Sequence, residues 1–148
     1  MDALKLTAEM IGFRSINPPG HEQELSLFLQ KLLSEYNFKI DCYEFKKDRP
    51  SFIASIDGDD TSLEPIVFAG HIDVVPVGKT EWRSNPFEAK ITDGKIFGRG
   101  STDMKSGIAC AISAGINILD SALPLKRGIK LVIVAGEETG CQGSFYLK

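Results

Sequence analysis

One histidine and four carboxylates stand just past three segments that read as strand ends. His71 and Asp73 follow an apolar run at 65–69, Asp103 follows a hairpin, and Glu137 with Glu138 follows a second apolar run at 129–135. Imidazole and carboxylate donors with no thiolate among them form a borderline-to-hard ligand set, suited to zinc, cobalt or manganese in a catalytic site more than to a cysteine-bound structural zinc. Two ions about 3.5–4 Å apart need a carboxylate that bridges them, and Asp103, midway along the chain between the other clusters, is the natural bridge. Each residue also has a plainer reading. A histidine after a strand is often just hydrogen-bonded, Asp103 opens a helix and could cap it, and neighbouring glutamates usually form a solvated turn. Glu137 and Glu138, however, terminate the most apolar strand of the chain, where an exposed acid pair is less expected. In an open α/β sheet, ligands gather outside the carboxyl ends of the strands, so the three clusters are expected to meet in one pocket.

The elements that must position these residues follow from apolar periodicity. Leu4, Leu6, Met10, Ile11 and Phe13 form a helical stripe over 2–13, and Asn17-Pro18-Pro19-Gly20 cannot continue it. A second helix is expected over 22–36, with Leu25, Phe28, Leu29, Leu32 and Leu33 on one face. Strands are expected at 39–45 and 52–56, and a strand buried on both faces at 65–69. Asp93-Gly94 supplies the positive backbone angles of a two-residue turn, so 87–92 and 95–97 read as a hairpin. A buried helix at 104–119 and a central strand at 129–135 complete the pattern, and Ser144 onward reads as the first turns of a further helix. Alternating helices and buried strands predict an α/β fold, a three-layer α/β/α arrangement on a mixed, mainly parallel sheet.

Bulk properties exclude several function classes. With 148 residues, 43% hydrophobic and 25% charged, the chain has the make-up of a globular domain with one core. A net charge of -3 with no basic run gives no footprint for nucleic acid or an anionic membrane. No apolar run is long enough for a membrane span or a secretory signal, so a cytoplasmic location is the default expectation. Cys42, Cys110 and Cys141 have no CxxC spacing and read as buried or half-buried free thiols. Arg99 and Lys105 read equally as anion contacts or as surface charge, Trp82 with Pro86 and Phe87 as a packed loop, and His21 as a solvated turn residue.

The ordered motifs Gly70-His71-Ile72-Asp73-Val74-Val75-Pro76, Trp82 with Asn85-Pro86-Phe87, Gly98-Arg99-Gly100-Ser101-Thr102-Asp103-Met104-Lys105-Ser106-Gly107 and Glu137-Glu138-Thr139-Gly140 span nearly the whole chain. Together they resemble the M20 metallopeptidase and deacylase family, most of all its acetylornithine deacetylase and succinyl-diaminopimelate desuccinylase branch. The resemblance implies that His71 binds one metal, Asp103 bridges two and Glu138 binds the other. It implies that Asp73 holds the His71 ring, that Glu137 is the general base, and that the peptide bond after Asp103 is cis. The implied reaction is hydrolysis of the amide bond of an N-acyl amino acid by a metal-activated water. The expected metals are two Zn2+ ions per full-length subunit, with Co2+ or Mn2+ as substitutes. A carboxypeptidase or dipeptidase of the same family is the alternative, and a non-catalytic binding module on the same scaffold is a third reading. The family pattern also requires a further acidic ligand and a last histidine beyond Glu138. The 148 residues are therefore expected to correspond to the N-terminal part of a catalytic domain without its lid and dimerisation domain. On this reading the fragment itself is expected to be inactive, and the full-length parent to be a homodimer acting on small acyl amino acids or dipeptides.

Overall fold

The computed structural model describes residues 1–121 and 123–147. The first helix, α1 (Ala3–Gly12), is capped by the Asp2 carboxylate, which accepts from the N–H groups of Leu4 and Lys5 at 2.9 and 3.2 Å. That satisfies two of the donors a helix start leaves free. Helix α2 (Gln23–Glu35) buries Leu25, Leu29 and Leu33 at helical spacing. A hairpin follows, β1 (Lys39–Lys46) and β2 (Arg49–Ile56), and then β3 (Ile66–His71). The predicted small hairpin is β4 (Lys90–Thr92) and β5 (Lys95–Phe97), with Asp93 and Gly94 at φ 51° and 70°, as its two-residue turn requires. Helix α3 (Lys105–Asp120), β6 (Ile129–Val134) and a short 3-10 turn at Ser144–Tyr146 complete the chain, the last in place of the helical turns expected there.

The main sheet has the order β1-β2-β6-β3. It is mixed, as expected, but among the described strands only the β3–β6 pair is parallel; β1–β2 and β2–β6 are antiparallel. Register places Phe52 opposite Ile133 and Ala54 opposite Leu131, so these side chains share one face. Helices α1, α2 and α3 all contribute to the hydrophobic cluster on that face, which includes Leu6, Met10, Leu29, Phe52, Ile112, Leu131 and Ile133. The described residues thus build two of the three expected layers. On the opposite face Ile53 and Val132 are half-buried and Lys130 is exposed.

Three expectations need correction. The run at 65–69 is not buried on both faces: β3 lies at the sheet edge, with Ile66, Val67 and Phe68 43–54% exposed. An edge strand has one neighbour, and no described element covers its outer face. The three cysteines are free, as expected, but all are exposed. Cys42 sits on the outer edge strand β1, and Cys110 on the side of α3 turned away from its buried stripe. Asp103 does not cap α3, because its carboxylate is turned to His71 instead and Met104 holds the cap position.

Candidate metal centre

Three chain reversals bring the predicted residues together at one end of the parallel pair. β3 ends at His71, and the chain leaves the sheet through Ile72, whose N–H donates to Val134 O at 3.0 Å and so keeps Asp73 beside the tip of β6. β6 ends at Val134, and Gly136 reverses the chain at φ 78°. A side chain there would also meet Phe45 and the Arg49 guanidinium, so the turn demands glycine twice over. Asp103 arrives from the loop before α3, where Gly100, at φ 83°, lies against Val74 and Lys105. The Asp103–Met104 bond is cis, as the resemblance implies.

His71 Nε2 lies 3.0 Å from Asp103 Oδ1 and 3.7 Å from Glu137 Oε2. Donor atoms of His71, Asp103 and Glu138 all fall within 4.8 Å of one another. The other ring nitrogen, Nδ1, faces the Asp73 main-chain oxygen at 3.0 Å and its carboxylate at 3.5 Å. Nδ1–H therefore has an acceptor, so that whenever the ring is neutral its lone pair lies on Nε2. All five predicted residues are thus brought together.

Asp73 does more than face His71. Its carboxylate is fully buried and accepts from Glu137 N–H at 3.1 Å, Glu138 N–H at 3.0 Å and the Asn17 amide at 2.7 Å. Burial opposes its charge, but His71, Asn17 and the two main-chain donors outweigh burial and hold the carboxyl at about 2. Burial likewise opposes charge on His71, yet Asp73 and Asp103 lift the imidazole to about 9. Burial raises the Glu138 carboxyl above its ordinary value, with Asp103 and Asp73 adding to the effect and His71 and the Val75 N–H opposing it.

Residues 67–147, more than half of the chain, match the model of peptidase family M20/M25/M40. The chain belongs to that family. Among M20 relatives, succinyl-diaminopimelate desuccinylase 2 from Ruegeria sp. is 37% identical over 141 residues, which are 95% of this chain and 34% of the relative. Succinyl-diaminopimelate desuccinylase from Rickettsia typhi is 36% identical over 132 residues, 87% of this chain and 34% of that protein. The chain spans about a third of the length of the curated relatives it matches. In three dimensions it resembles human carnosine dipeptidase 1, with a TM-score of 0.84 at 22% identity over 95% of this chain and 33% of that one. It also resembles an M20 family metallo-carboxypeptidase from Sulfolobus solfataricus, with a TM-score of 0.78 at 25% identity over 90% of this chain and 31% of that one.

The donor set of this M20 chain fits a divalent metal: one imidazole nitrogen and two carboxylates converge, and the second ring nitrogen is already held. Several neighbours had no mark in the sequence. Asn17 reads there only as a helix terminator, yet its side chain is buried against Asp73. Lys105, read as an anion contact or surface charge, is fully buried and donates to Met10 O at 2.9 Å and Phe13 O at 2.8 Å. Arg99 stacks over Trp82 and donates to Pro76 O at 3.2 Å, so the Trp82 loop is packed, as expected. Beneath the Gly136 turn, Glu22 and Arg49 form a buried ion pair joining α2 to β2, a contact between distant segments that no local pattern announces. His21 is exposed in the turn before α2.

Proposed function

We propose that this sequence supplies part of the active site of a metal-dependent amide hydrolase of the N-acyl-amino-acid deacylase type. The convergence of His71, Asp103 and Glu138 within 4.8 Å carries the reading, with Glu137 beside them. His71, Asp103 and Glu138 would hold zinc, with Asp103 shared if two ions bind and cobalt or manganese as substitutes. The metal supplies Lewis acidity toward the amide carbonyl and lowers the pKa of water. Asp73 fixes the His71 tautomer and ring plane. Glu137 takes a proton from water as the water oxygen bonds to the carbonyl carbon, and delivers that proton to the nitrogen as the C–N bond breaks; the carboxylic acid so formed then ionises and the released amine takes up its proton.

Relatives at 36–37% identity named as succinyl-diaminopimelate desuccinylases favour an N-succinyl or N-acetyl amino acid as substrate. The likeness to a metallo-carboxypeptidase keeps peptide cleavage as the second reading. A binding module without chemistry has no physical need for His71, Asp103, Glu137 and Glu138 together. Because the chain spans about a third of its relatives, the complete reaction, and any homodimer, belong to a longer polypeptide that carries this sequence, and the 148 residues alone should hydrolyse little. The test assays such a polypeptide, zinc-loaded, on N-succinyl and N-acetyl amino acids and on dipeptides. Glu137→Ala should lower kcat by at least about 100-fold while metal content is kept. Zinc-replete protein inert toward all three substrate classes would end the reading.

A further inference from the structure

The proposed chemistry leaves one fully buried polar side chain of the site without a role. Asn17 is 1% exposed, and its Nδ2 donates to Asp73 Oδ2 at 2.7 Å and to Thr139 Oγ1 at 2.9 Å. Both amide hydrogens are thereby committed. Among the described residues Oδ1 is buried with no partner, and turning the amide over would set that oxygen against the Asp73 carboxylate. Asp73 therefore dictates which way the amide faces. The backbone cannot drift, because residues 15–17 run as a strip beside 72–74. Asn17 N–H donates to Val74 O at 2.9 Å, Val74 N–H to Ser15 O at 2.9 Å and Ser15 Oγ to Ile72 O at 2.6 Å.

A carboxylate swivels broadly about its last torsion, so something must choose the plane of Asp73. That plane decides whether one oxygen reaches Glu137 N–H and His71 Nδ1 while the other reaches Glu138 N–H. We propose that Asn17 is a positioning residue: through Asp73 it fixes the His71 ring and the Glu137–Glu138 turn together, presetting two of the three candidate ligands, His71 and Glu138, before an ion arrives. The inference rests on the metal-dependent reading above and adds to it a residue from the loop between α1 and α2.

The experiment compares the 148-residue chain with Asn17→Ala and with Ser15→Ala, which loses a buried hydrogen bond of the same strip without touching Asp73. In the metal-free proteins, amide hydrogen exchange at Glu137 and Glu138 should quicken about tenfold in Asn17→Ala, with the β6 amides unchanged. Cobalt(II) titration followed by visible absorption should then show Kd raised about tenfold and shifted bands. Ser15→Ala should keep wild-type exchange at the turn and wild-type cobalt spectra even where it melts lower. Should Asn17→Ala fail to fold, Asn17→Ser, whose hydroxyl cannot span both acceptors, replaces it. The proposal is overturned if Ser15→Ala matches the Asn17 variant in both readouts, or if the Asn17 variant changes only the melting temperature. A wild-type chain that takes up no cobalt overturns the metal-dependent reading instead, and the exchange comparison still decides whether Asn17 sets the turn.

Discussion

In the metal-free chain His71 is held as imidazolium at neutral pH, since burial, which opposes the charge, is outweighed by Asp73 and Asp103 and the pKa reaches about 9. A metal ligand must be the neutral ring, so an entering ion has to displace that proton. Below about 9 the neutral fraction falls tenfold per pH unit, and metal affinity should therefore climb from pH 6 to pH 9 and then level off. Titration calorimetry in buffers of different ionisation enthalpy should register release of about one proton per ion near pH 7. Affinity flat across this range would mean that His71 is not a ligand. The same shift acts on folding with the opposite sign: a raised pKa gives stability that is fully present below 6.5 and lost as pH rises through about 9.

At the scale of elements, the mutual position of α1 and α3 depends on a buried lysine. Lys105, in the first turn of α3, donates from its ammonium to the carbonyls of Met10 and Phe13 at the end of α1, the first of which also accepts from the Phe13 N–H. Burial presses its pKa down to about 7. Lys105→Ala would leave a cavity and deprive both carbonyls of this donor, and should destabilise the chain by about 2–4 kcal/mol in denaturant unfolding. A loss under about 0.5 kcal/mol would show that α1 and α3 are held by their apolar contacts alone. Strands and helices could be read from sequence because apolar runs bounded by glycine or proline, as at Pro65–Gly70 and Gly128–Gly136, carry their own punctuation. The strand-end cluster of His71, Asp73, Asp103, Glu137 and Glu138 could be read for the same reason. Lys105, Asn17 and the Glu22–Arg49 pair could not, because each is buried by a partner between 27 and 95 residues away, and no local pattern encodes that distance. The exposure of β3 was hidden too: an apolar strand looks the same in sequence whether it lies at the centre of a sheet or at its edge.

For the molecule as a whole, that edge is a liability. Ile66, Val67 and Phe68 present apolar side chains and unpaired backbone groups, a template for another strand. The 148-residue chain should self-associate with rising concentration in light scattering, and Val67→Lys, placed on the face shared with exposed Lys130, should suppress the effect. A chain monomeric at all concentrations would show that the edge is shielded. The strip that threads residues 15–17 alongside 72–74, together with the anchoring of Lys105 to Met10 and Phe13, bears on how divisible the molecule is. A piece excised at the boundary of the family match would keep every atom proposed to touch a metal, yet it would lose β2, α1 and the amide that orients Asp73. The segment carrying the candidate ligands should therefore not fold as an autonomous module. Its N-terminal helices and first hairpin are its foundation: β2 of that hairpin pairs along β6, and the loop between the helices supplies the Asn17 amide to Asp73.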